Sequence, residues 1–162
     1  MSTTIDTGRQ IVRNLGFLPP VGSGELSSLE VAMFDATGTL ASAAAATPVV
    51  LLPASMVPAG FRVVPIAVFM RVDGGTAWAT TANVKVQDTN DTPVDFVTVQ
   101  VSALGANARV NIASANVTIE DAVLLGTGGT PGRGVQVRGN ANGTGSDLRV
   151  RVVGYIVKDN AD

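Results

Sequence analysis

The chain contains no cysteine and no histidine. The first absence excludes disulfides and thiolate nucleophiles, and the two together remove the common zinc ligands. Without histidine there is no side chain whose ordinary titration makes it a general base near neutral pH. Stability must therefore come from packing or oligomerisation. Charge is scarce as well: charged residues make up 15% of the chain, against about a quarter in average domains. Lys+Arg number 11 and Asp+Glu 13, for a net charge of -2, which excludes a broad basic footprint for nucleic acid. An unbroken apolar run is also missing. Ala36 to Phe61 carries no charge, but Pro48, Pro53 and Pro58 interrupt it. A spanning helix needs about 20 continuous apolar residues, so no membrane span is expected. The opening MSTTIDTGRQIVRNLGF has no signal-peptide core and carries Asp6, Arg9 and Arg13.

What is present points to strands and turns. The chain has 162 residues, enough for one domain with a proper core; 46% are hydrophobic, with 18 Gly and 8 Pro. Residues 1–24 read as an arm, polar at first, then holding Ile11, Val12, Leu15, Phe17 and Leu18 before Pro19–Pro20. The paired prolines forbid a helix there and fix an extended path. Those five apolar residues want burial, and docking on a neighbouring subunit would provide it. Residues 25–162 read as a single β-domain.

Ser28–Asp35 alternates as a strand. Ala36–Thr47 is small and bland, and is expected to be a loop or short helix. Val49–Leu52 and Phe61–Val72 are apolar strands, the second with Pro65, which needs an edge or bulge position. Asp73–Gly74–Gly75 is a turn signal, after which Thr76–Ala79 is expected to pair back. Asn83–Asp88, Val94–Val101 and Ala108–Ala113 supply further strands, and Val117–Gly126 contains another. Gly134 to Val157 closes the domain. Val135 and Val137 alternate with Gln136 and Arg138; then Leu148, Val150 and Val152 alternate with Arg149, Arg151 and Val153. This reads as a long hairpin at a sheet edge, reversing through NANGTGS. The sum is an all-β fold: an antiparallel β-sandwich or jelly-roll-like barrel of about eight or nine strands with an extended N-terminal arm.

The motifs offer little chemistry. GTGGTPGRG (126–134) lacks the Gly-Lys-Ser/Thr ending of a phosphate loop, so a plain flexible loop is expected. NGTGSDLRV (142–150) matches one imperfect copy of a calcium-binding repeat that works only in stacks; a turn capped by Asp147 is the simpler reading. DTNDT (88–92) offers Asp88, Asn90 and Asp91 as oxygen ligands, but without the glycine and distal glutamate of a calcium loop it reads as a polar turn. Glu120 and Asp121 are adjacent, and Glu25, Glu30, Asp73, Asp95 and Asp147 are scattered, so no spacing pairs two carboxylates for hydrolysis. No catalytic residue, metal site or cofactor is expected, and the chain reads as a non-enzyme. Trp78 reads as core or interface packing, with a sugar-stacking platform as the functional alternative. Arg133, Arg138, Arg149 and Arg151 cluster in the closing segment and suit an acidic protein neighbour better than DNA.

Three stretches carry a resemblance: LLPASMVPAGFRVVPIAVFMRV (51–72), GGTAWATTANVKVQDT (74–89) and GVQVRGNANGTGSDLRVRVVGYIV (134–157). Their pattern of strand, glycine-asparagine loop and strand resembles small structural proteins of tailed bacteriophages, nearest the capsid decoration, or cement, proteins. That resemblance implies a β-rich homotrimer at local threefold points of the head, bound to the major capsid protein on the outer surface of the virion. It further implies synthesis in the bacterial host cytoplasm, no nucleic-acid or membrane partner, and an arm at residues 1–24 that reaches across capsid subunits. Trp78 and the four arginines become possible oligomer or capsid contacts. The family has no shared residue motif, so no individual contact is carried over. A glycan-binding or structural module of a phage tail fibre, head fibre or baseplate is the competing expectation.

Overall fold

The computed structural model describes residues 31–78 and 83–159. Nine strands are present among them: β1 (Val31–Leu40), β2 (Val49–Leu52), β3 (Phe61–Asp73), β4 (Val84–Asp88), β5 (Asp95–Val99), β6 (Arg109–Asn111), β7 (Val117–Ile119), β8 (Val135–Gly139) and β9 (Asp147–Lys158). They form two antiparallel sheets, one ordered β1-β9-β3-β6 and the other β2-β8-β4-β5-β7. This is the all-β sandwich expected from the strand spacing. The arm at 1–24, with Ile11, Val12, Leu15, Phe17 and Leu18, lies outside the described residues.

The core sits between the sheets. Leu148, Val150, Val152 and Ile156 of β9 point inward, as do Phe34, Ala36 and Leu40 of β1. Leu52, Val84, Val86, Val97, Val99, Val135 and Val137 face them from the second sheet. Each such Val, Leu, Ile or Phe side chain contributes about 1.5–3 kcal/mol by leaving water. The four-stranded sheet therefore turns every second residue outward, and that outer row matters below.

The run FRVVPIAVFMRV shows no simple alternation because its phase flips. Val63 and Pro65 are buried before Ile66; Val68, Met70 and Val72 are buried after it. The register with β9 shifts between Pro65 and Ala67, so Ile66 is the extra residue of a bulge. Pro65 sits at that bulge, as its missing N–H requires. Opposite it stands Gly154, where a Cβ would lie 2.4 Å from the Val64 carbonyl oxygen and 2.8 Å from the Phe34 ring. A second bulge, between Val86 and Gln87 against Asp95 and Val97, explains why adjacent Phe96 and Val97 are both buried.

Three expectations are corrected. First, Gly134–Val157 is not a hairpin and not an edge. β8 lies between β2 and β4, whereas β9 lies between β1 and β3 in the other sheet. The Asn140–Ser146 link crosses the sandwich end instead of reversing within a sheet. It is stitched to the Ala41–Ala46 turn: Gly143 N–H donates to the Ser42 carbonyl (2.8 Å), Ser42 N–H to Asp147 Oδ1 (3.0 Å) and Ala46 N–H to Asn142 Oδ1 (2.9 Å). Second, Ala36–Leu40 is strand, with only Ser42–Ala44 in a 3-10 turn, because β9 offers ten partners to β1 from Val31 to Leu40. Third, of the Thr76–Ala79 segment expected to pair back, Ala79 lies outside the described residues, and Thr76–Trp78 does not pair back on β3. That side is taken by the segment ending in β6: Val72 N–H donates to the Ala108 carbonyl and Phe69, Met70 and Arg71 pair with Asn111, Val110 and Arg109. Val117–Gly126 does contain a strand, β7, and continues into a short helix, α1 (Asp121–Leu124).

The 126–134 loop is held rather than free. Gly129 N–H donates to the Val63 carbonyl (2.9 Å) and Gly132 N–H to the Phe61 carbonyl (2.7 Å), both on β3. Thr130 N–H donates to Asp88 Oδ2 (2.8 Å) and Gly134 N–H to Thr89 Oγ1 (2.9 Å), tying the loop to the second sheet. Gly128 adopts φ +68, and a Cβ there would lie 2.5 Å from the Val63 oxygen. The glycines serve close backbone approach between sheets.

Candidate functional site

The outward residues of the four-stranded sheet form two cross-strand rows. One runs Thr37 (β1), Arg151 (β9), Phe69 (β3), Asn111 (β6); the next runs Thr39, Arg149, Arg71, Arg109. Successive side chains in a row stand about 4.8 Å apart, the distance between strands. Together they line an open groove of about 670 Å³ containing four arginines and no carboxylate.

Two aspartates on the same face bind arginines from outside the groove. Asp73 accepts from Arg71 Nη2 (2.7 Å) and from Arg149 Nε (2.9 Å). Asp35 accepts a fork from Arg151, Nε at 2.9 Å and Nη2 at 2.6 Å. The hydrogen bond from Arg151 holds the Asp35 carboxyl below its ordinary value, and that from Arg71 does the same for Asp73. Arg109 is exposed and has no carboxylate partner among the described residues. Phe69 is 46% exposed on this face.

The predicted contact residues fall in different places. Arg149 and Arg151 are in the groove. Arg138 is on the outer face of the opposite sheet, where it lines a smaller cleft with Lys85, Asp95 and Gln87. Arg133 is exposed on the 126–134 loop. The expected arginine cluster is thus divided, because β8 and β9 belong to different sheets. Trp78 is not a surface contact: it is 1% exposed in the core, with its backbone N–H bonded to the Leu104 carbonyl. Burial also removes it as a sugar platform. Arg71, Phe69, Arg109 and Asn111 were missed by sequence reasoning. Their signal was the alternation in FMRVD (69–73) and ARVN (108–111), which turns Phe69, Arg71, Arg109 and Asn111 to one side.

The polar turn at 88–92 is built as such. Asp88 Oδ1 accepts from Asn90 N–H (3.1 Å) and Val94 N–H (3.0 Å), so backbone donors occupy the oxygens that a cation would need. No cluster of three or more metal-ligating side chains occurs among the described residues. Glu120 accepts from the Thr98 hydroxyl (2.8 Å) just before α1. No helix among the described residues is long and apolar enough to cross a membrane.

Compared with known proteins, the chain matches no family model, no curated sequence and no solved structure.

Proposed function

We propose that this chain is a non-enzymatic structural protein of a tailed-phage virion that binds the outside of the head as a homotrimer and stabilises the shell. The observation that carries the reading is the outer face of the four-stranded sheet. It is broad, open and arginine-bearing, with Phe69 half exposed within it and Ile66 and Val31 exposed elsewhere on the same sheet. Such a face suits contact with a protein surface better than enclosure of a small molecule. The resemblance of residues 51–72, 74–89 and 134–157 to phage head proteins supports the setting. A ligand that binds only the assembled shell stabilises it by mass action, and contact with several capsid subunits adds avidity. The competing glycan-binding reading loses its aromatic platform with the burial of Trp78.

The test combines solution mass with binding to expanded, undecorated heads of the phage that encodes the chain. A stable trimer that saturates heads at a fixed ratio and raises their disruption temperature is expected. A monomer that never binds heads would refute the proposal.

A further inference from the structure

Three arginines stand side by side across the outer sheet face: Arg149 on β9, Arg71 on β3 and Arg109 on β6 are direct cross-strand neighbours. Like charges directly opposite one another destabilise a sheet. Asp73 relieves the first two, and Asp35 occupies Arg151. Arg109 remains unneutralised among the described residues, beside Arg71. A residue that breaks a local rule without a compensating contact is characteristic of a functional position. The groove around it is lined by four arginines, with Phe69 and Asn111 in the adjoining row.

We propose that this groove docks an acidic, extended segment of a protein partner, with Arg109, which no carboxylate pairs with among the described residues, as the anchor. The choice of a protein occupant rests on the assembly reading above; the charge is read from the groove itself. A guanidinium matches a carboxylate as a planar fork, and the Arg151–Asp35 pair already shows that geometry on this face. An incoming carboxylate would complete the row that Asp73 neutralises only in part. Phe69 supplies apolar area beside it, which displaces water and strengthens the pair. A nucleic-acid strand fits less well: the chain carries a net charge of -2, and Arg133 and Arg138 lie elsewhere.

The test uses the full chain and a fluorescein-labelled peptide of alternating glutamate and serine, read by anisotropy at low salt. Arg109→Thr is expected to weaken binding at least about tenfold, while its unfolding midpoint stays level or rises as the like-charge contact is removed. Asp73→Asn is expected to tighten binding about threefold by releasing Arg71 and Arg149 to the peptide. Arg133→Thr makes the same change in net charge elsewhere, and is expected to leave affinity within about twofold. Equal losses in Arg109→Thr and Arg133→Thr would overturn the proposal. So would absence of peptide binding by the native chain, or tighter binding of a sulfated oligosaccharide than of the peptide. No head is present in this assay. Peptide binding without head binding would leave the groove assignment standing and remove the assembly reading; head binding without peptide binding would do the reverse.

Discussion

Asp88 is 0% exposed, yet no cation pairs with it among the described residues. Its charge is held by three backbone N–H groups, those of Asn90, Val94 and Thr130. Two close its own turn, and the third reaches the loop that also bonds β3. One side chain thus joins a local turn to the contact between sheets. Asp88→Ala would leave these donors unmet, and a loss of about 2–4 kcal/mol is expected in urea unfolding. Asp88→Asn keeps acceptor capacity at one oxygen and should lose less. The residue type and the turn were legible in DTNDT; the third donor, from Thr130, was not, because it arrives from far along the chain. Asp35 and Asp73 behave differently. Both carboxyls are held below their ordinary value of 3.8 by arginine partners. A depressed carboxylate contributes stability above its unfolded value, and that contribution is lost as pH falls through the lower folded value. Stability should therefore fall as pH drops below 3.8, and Asp35→Asn with Asp73→Asn should flatten that decline. A thermal-melt series across acid pH checks it; the exposure of both sites keeps the effect small.

The closing segment shows how far local pattern reaches at the scale of elements. Alternation in DLRVRVV separated the two faces of β9, because period two is a property of the strand itself. It said nothing about which strand lies alongside. Two alternating arms joined by a glycine-rich link are equally good as a hairpin or as a crossing between sheets; here the link spans the sandwich end. The same limit divided the expected arginine cluster and hid Arg71 and Arg109, which reach the groove only through pairing of β3 and β6 with β9. Engineered cysteines can separate the two arrangements in a chain that has none of its own. Thr39 and Arg149 are direct partners, so Thr39→Cys with Arg149→Cys should cross-link under mild oxidation. Arg138 and Arg149 would share the wet face of a hairpin, but they lie on opposite outer faces of the sandwich. Sheets pack about 10 Å apart, beyond the roughly 7 Å that a disulfide tolerates between Cα atoms. Arg138→Cys with Arg149→Cys should therefore stay reduced within one chain. Cross-linking of the second pair, read by mass spectrometry, would restore the hairpin.

At the scale of the whole molecule, net charge and local charge point in opposite directions. The chain carries -2, while the groove is lined by four arginines, of which Asp35 and Asp73 pair with three and still leave an excess of positive charge. If overall charge governed association, an acidic partner would be repelled, and added salt would strengthen binding by screening that repulsion. If the groove governs, salt screens an attraction and weakens binding. The groove should dominate, because its charges lie within the screening length of a docked partner and most others do not; that length is about 10 Å at 0.1 M salt and about 8 Å at 0.15 M. Binding to heads, followed by co-sedimentation, should accordingly weaken as NaCl rises from roughly 0.05 to 0.3 M. Arg109→Thr should bind more weakly at the low end and show a shallower decline, since one attractive charge has been removed. Binding that strengthens with salt would place the contact on a different surface of the sandwich.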